Sequence, residues 1–137
     1  MELGTFGAIL RYAAEREAQA ATFYAGTAPA GQEALWAELR RGAERRAQRL
    51  QDARRELISE MILESISGLD DAAYEVELAA GKSAQDLLER AQALEAATAR
   101  FYRDAAAKMP VRDVARLFVR LAQESEARLG QLAPPAG

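Results

Sequence analysis

Two glutamates and two arginines carry most of the chemistry this sequence offers. Glu17 and Glu95 sit in similar surroundings, each followed six residues later by Phe-Tyr, at Phe23-Tyr24 and Phe101-Tyr102. Arg46 and Arg128 also recur, each four residues ahead of a leucine, Leu50 and Leu132. A carboxylate and a guanidinium that meet away from water form a charge-assisted pair, stronger than a neutral hydrogen bond. Two readings are open: Glu–Arg pairs buried between helices, or arginines that snorkel outward past solvated glutamates. Recurrence of the same residue types in both halves favours the buried pair. Tyr24 and Tyr102 either serve redox or hydrogen-bonding roles beside the glutamates or pack as core aromatics, and their helical spacing favours packing.

Absences narrow the field further. The chain has no cysteine, which excludes disulfides, thiolate catalysis, zinc fingers and iron–sulfur centres. It has no histidine, so a His-based triad and imidazole metal ligation are excluded too. Gly-rich phosphate loops, Ser-Lys pairs and nucleophile elbows are missing. A net charge of −3 and a pI near 5.1 give no general nucleic-acid footprint. Arg40, Arg41, Arg45, Arg49, Arg54 and Arg55 cluster, but with acidic residues between them, as on a solvated helix face. No apolar run approaches membrane-spanning length and no signal peptide is evident, so a cytoplasmic protein without nucleic-acid or membrane partners is expected.

The elements that must position these residues are helical. Apolar residues make up 50% and charged residues 28% of 137, a globular balance rich in helix formers and sized for one domain. The first helix is expected over 5–25, with Thr5 as N-cap and Gly26 and Pro29 as the stop. Its inner stripe is Ile9, Ala13, Glu17, Ala20 and Tyr24. The second is expected over 32–66, with Leu35, Leu39, Ala43, Arg46 and Leu50 inward and no breaker before Gly68. Residues 67–82 read as a crossover with one short helix. The third helix, 83–107, starts at a Ser83/Asp86 capping box and turns Leu87, Ala91, Leu94, Glu95, Thr98, Phe101 and Tyr102 inward. The fourth, 111–132, follows Pro110 and carries Leu117, Leu121, Ser125, Arg128 and Leu132. Residues 133–137 read as a frayed tail. Leu57 to Ile66 has apolar residues on more than one face, so either the crossover or a second subunit covers it, a homodimer being preferred.

The chain also repeats itself. Ala13, Glu17, Ala18, Ala21, Phe23 and Tyr24 match Ala91, Glu95, Ala96, Ala99, Phe101 and Tyr102. Leu35, Trp36, Leu39, Glu44, Arg46 and Leu50 match Leu117, Phe118, Leu121, Glu126, Arg128 and Leu132. Two similar hairpins, about 5–66 and 83–132, joined by a long crossover, give an all-α four-helix bundle with pseudo-twofold symmetry as one domain.

Glu17, Ala20, Phe23 and Tyr24, and again Glu95, Thr98, Phe101 and Tyr102, resemble the first and third helices of rubrerythrin-related ferritin-like proteins. Leu39–Leu50 and Leu121–Leu132 resemble the second and fourth. The resemblance implies a bundle in which two lone glutamates and two Glu-x-x-His motifs hold two irons. Glu17 and Glu95 match the lone glutamates. The Glu-x-x-His positions fall on Ala43/Arg46 and Ser125/Arg128, so those four ligands are replaced. An arginine stays protonated and repels a cation. Glu44 and Glu126 lie one residue further along, about 100° around the helix, and should point away.

The resemblance thus implies a degenerate member: a non-catalytic, structural or partner-binding module without cofactor or metal, in which Glu17 and Glu95 are vestigial ligand positions, each paired with one of the two arginines, Arg46 or Arg128. The alternative is a rubrerythrin-like di-iron oxidase, peroxidase or iron-binding protein with an atypical carboxylate site. A small anion held between the arginines is a third reading. The protein partner is not specified by the sequence.

Overall fold

Alanine-, leucine- and arginine-rich stretches with apolar residues three and four apart fold as helices. The computed structural model describes residues 1–56, 62–78 and 83–132. Helix α1 spans Phe6–Ala25 and α2 spans Glu33–Glu56. A short 3-10 helix follows at Asp71–Tyr74, then α3 at Ala84–Ala106 and α4 at Arg112–Leu132. The expected N-caps form: Thr5 Oγ1 accepts the Ala8 N–H at 3.1 Å, and Ser83 Oγ accepts that of Asp86 at 3.1 Å. Each such cap is worth about 1 kcal/mol. The Gly26 N–H bonds the Phe23 carbonyl at 3.1 Å and closes α1.

The chain divides into two compact units, Met1–Asp71 and Ala72–Gly137. In the first, α1 and α2 run antiparallel: Gly7 meets Arg54, Glu17 meets Arg46, and Phe23 meets Trp36. In the second, α3 and α4 do the same, with Gln92 against Leu132, Glu95 against Arg128 and Tyr102 against Phe118. The fold class is therefore all-α, as expected, with four long helices paired as two antiparallel hairpins, one in each unit.

The inward stripes are placed largely as the periodicity requires. Ile9, Ala13, Glu17, Ala20 and Tyr24 are buried, as are Leu39, Ala43, Arg46 and Leu50. Ala91, Leu94, Glu95, Thr98, Phe101 and Tyr102 are buried on α3, and Leu117, Leu121, Ser125, Arg128 and Leu132 on α4. Leu35 and Leu87 depart from expectation and are half-exposed. Trp36, one residue beyond Leu35, takes the inward place instead. Its larger ring buries more apolar surface, the stronger driving force at a helix start.

The second helix does not continue to Ile66. Its described part ends at Glu56, residues 57–61 lie outside the described residues, and from Glu64 the chain is extended. That extended stretch runs antiparallel to the N-terminal residues. Phe6 N–H bonds Glu64 O at 2.9 Å, Ile66 N–H bonds Gly4 O at 3.0 Å, and Leu3 N–H bonds Leu69 O at 2.8 Å. These bonds satisfy backbone groups that a longer helix would have satisfied internally. Gly68, at φ 90°, makes the bend that a side chain would resist, and Leu3 and Leu69 are buried. Gly7 matters for want of space instead: a Cβ there would lie 2.4 Å from Ile62 Cγ2.

Half of the expected apolar contact at Leu57 to Ile66, residues 57–61, lies outside the described residues. Of its remainder, Ile62 and Ile66 are half-buried, and Leu63 is 71% exposed. The tail at 133–137 also lies outside the described residues. In the second unit the 3-10 helix is clamped onto α3. Tyr74 stacks edge-on against Phe101 at 5.3 Å and donates its hydroxyl to Asp104 at 2.6 Å. Arg100 lies 5.7 Å over the Tyr74 ring and donates to the Ala73 carbonyl.

Candidate functional site

Helical periodicity puts Glu17 on the same face of α1 as Ile9, Ala13 and Ala20, and Arg46 on the same face of α2 as Leu39, Ala43 and Leu50. Antiparallel pairing brings the two together. Arg46 Nε donates to Glu17 Oε2 at 3.1 Å, with side-chain exposures of 8% and 2%. The second hairpin repeats the arrangement with the same guanidinium atom: Arg128 Nε donates to Glu95 Oε1 at 3.0 Å, with exposures of 9% and 3%. Each expected pair thus forms within its own hairpin, and neither arginine snorkels to solvent.

The two sites differ in detail. Arg128 Nη2 also donates to Ser125 Oγ at 2.8 Å, and Ser125 is fully buried. The matching position in the first hairpin, Ala43, has no hydroxyl. There the guanidinium lies over Gly42, where a Cβ would stand 2.9 Å from Arg46 Nη1. Glycine leaves the room that the head group needs. Buried ion pairs contribute little net stability, because desolvating both charges offsets their attraction. Removing one partner is costly, since the other charge remains buried.

The aromatic neighbours pack ring against ring in both hairpins. Tyr24 meets Trp36 edge-on at 5.4 Å and 86°; Tyr102 meets Phe118 edge-on at 5.4 Å and 80°. The internal repeat is therefore present in contacts as well as in letters. The buried Trp36 indole N–H finds no acceptor among the described residues.

Glu44 and Glu126 point outward, as the rotation of one residue requires. Glu44 pairs with Arg40 at 2.7 Å, and Glu126 accepts two bonds from Arg103, at 3.0 and 2.5 Å. Hydrogen bonding to Arg103 holds the Glu126 carboxyl below its ordinary range, and Glu126 in turn raises the Arg103 guanidinium.

One buried charge escaped the sequence reading. Arg16 is only 4% exposed, and its Nη1 donates to the Tyr12 hydroxyl at 3.2 Å. The signal was present: Arg16 lies seven residues after Ile9 and four before Ala20, hence on the inner face. Its counterpart in the second hairpin is Leu94.

Among the described residues, no three of Asp, Glu, His or Cys come together where a metal ion would fit. No described helix is long and apolar enough to cross a membrane. Compared with known proteins, the chain matches no family model, no curated protein and no solved structure.

Proposed function

We propose that this chain is a non-catalytic ferritin-like protein, a structural or partner-binding helical module in which ion pairs replace a di-iron site. The observation that carries the reading is the Glu–Arg pair buried in each hairpin. Arg46 and Arg128 stand where the family resemblance calls for histidines, and each engages the glutamate that the resemblance would assign to iron. A guanidinium donates hydrogen bonds and cannot ligate, so a glutamate so engaged faces a cation rather than a vacant coordination position. The donor set, two carboxylates each held by an arginine and no imidazole, does not fit a di-iron centre.

The reading extends to assembly. We assign the Leu57–Ile66 region as the contact of a homodimer, on the apolar residues its sequence carries on more than one helical face, Leu63 among them at 71% exposure. Thermal melting tests the loss of metal. A metal that binds the native state raises the melting temperature with concentration. The proposal expects no concentration-dependent rise with Fe(II) or Mn(II). A saturable rise that disappears on Glu17→Ala would refute it.

A further inference from the structure

An open groove of about 420 Å³ lies along the first hairpin, between α1 and the end of α2. Its floor is Leu10, Ala14 and Ala18, spaced one helical turn apart on α1, with Leu10 and Ala14 buried. At 1.5 Å per residue, the floor is about 12 Å long. Its rim is cationic. Arg11 comes from α1, and Arg54 and Arg55 come from α2. Arg55 is occupied by Asp52, whereas Arg54, among the described residues, uses its Nε alone, on the Gly7 carbonyl. Arg11 has no acidic partner among the described residues. Glu15 is the carboxylate on this rim, so the arginines outweigh it.

Two departures from the internal repeat build this groove. Ala14 corresponds to Gln92, and Gln92 reaches across the second hairpin, its Nε2 donating to the Leu132 carbonyl at 3.2 Å. Alanine spans nothing, and the cleft stays open. The stretch after Leu50, Gln51 to Glu56, continues α2 and supplies Arg54 and Arg55. The stretch after Leu132, Ala133 to Gly137, contains no basic residue.

We propose that the groove binds a small amphipathic carboxylate, a medium-chain acyl anion. Its tail lies on Leu10, Ala14 and Ala18, and its carboxylate faces Arg11 and the terminal nitrogens of Arg54. The chemistry is complementary on both counts: an apolar floor for the chain, and guanidinium forks that match a carboxylate. The volume is within the usual span of small-molecule sites, about 300–1,000 Å³. Glu15 on the rim selects a singly charged head group over a polyanion.

Decanoate is the probe, with decylamine as its cationic counterpart, followed by amide chemical-shift changes below the micellar range. Decanoate should bind saturably and move the amides of Leu10, Ala14 and Ala18, whereas decylamine should not. Arg11→Gln, at an exposed position, should weaken decanoate by about tenfold, the worth of one charge-assisted bond. Ala14→Gln, which lays a longer polar side chain across the floor, should abolish binding with helix content unchanged. Equal binding of decylamine, unchanged affinity in Arg11→Gln, or no saturable shift at the α1 floor would each overturn the proposal.

Discussion

Replacing Glu17 by alanine isolates the energetics of the buried pair. Arg46 would keep its place between α1 and α2, at 8% side-chain exposure, with the carboxylate that receives its Nε removed. A guanidinium cannot shed its charge, so the loss is not relieved by deprotonation. Breaking a buried pair from one side costs about 3–5 kcal/mol. The same change at an exposed pair costs at most about 1 kcal/mol. Urea unfolding followed by circular dichroism separates the two cases, and the melting temperature should fall by roughly 10–20 °C. The paired replacement Glu17→Leu with Arg46→Met removes both charges while filling the space. It should recover most of the loss, since apolar substitutes for a buried pair are often neutral or stabilising. A Glu17→Ala loss below about 1 kcal/mol, or a double variant no better than the single, would refute the reasoning.

Glycine substitutions should split by environment. Gly7→Ala puts a methyl into Ile62 and should cost about 1–3 kcal/mol in denaturant unfolding; Gly130→Ala, with nothing within 4 Å of the new Cβ, should gain up to about 1 kcal/mol. Glu126 should titrate below its ordinary 4.5 by NMR, moving back up in Arg103→Gln. Because its folded pKa is depressed, any stability it contributes is present above pH 4.5 and is lost as pH falls through the lower folded value. Both partners are exposed, so this pH effect on stability is small, and a large loss on Arg103→Gln would contradict it. Sedimentation should give a dimer at micromolar concentration that Leu63→Glu shifts toward monomer; a monomer throughout would remove the assigned contact.

Helix existence and inward faces were readable because they depend on local periodicity. Ile9, Ala13, Glu17 and Ala20 fall on one face of any α-helix, whatever surrounds it. The Glu–Arg pairs were readable for a second reason: the repeat shows the same residue types at matching places on both helices of each hairpin, so one register accounts for both pairs. What escaped depends on partners distant in sequence. Glu64 to Leu69 lacks a breaker until Gly68, and its extended form goes with the burial of Leu69 and with backbone bonds to residues 3–6, some sixty residues away. Tyr74 is held by Phe101 and Asp104, about thirty residues away, and no local pattern announces them. The groove beside Ala14 depends on how α1 packs against the end of α2, some forty residues further along, and no local pattern announces it.

The most direct test of the replaced metal site is iron content after anaerobic Fe(II) loading and removal of excess metal. With Glu17 and Glu95 held by Arg46 and Arg128, no stoichiometric iron should remain. Two irons retained per chain, the content of an intact di-iron bundle, would contradict it.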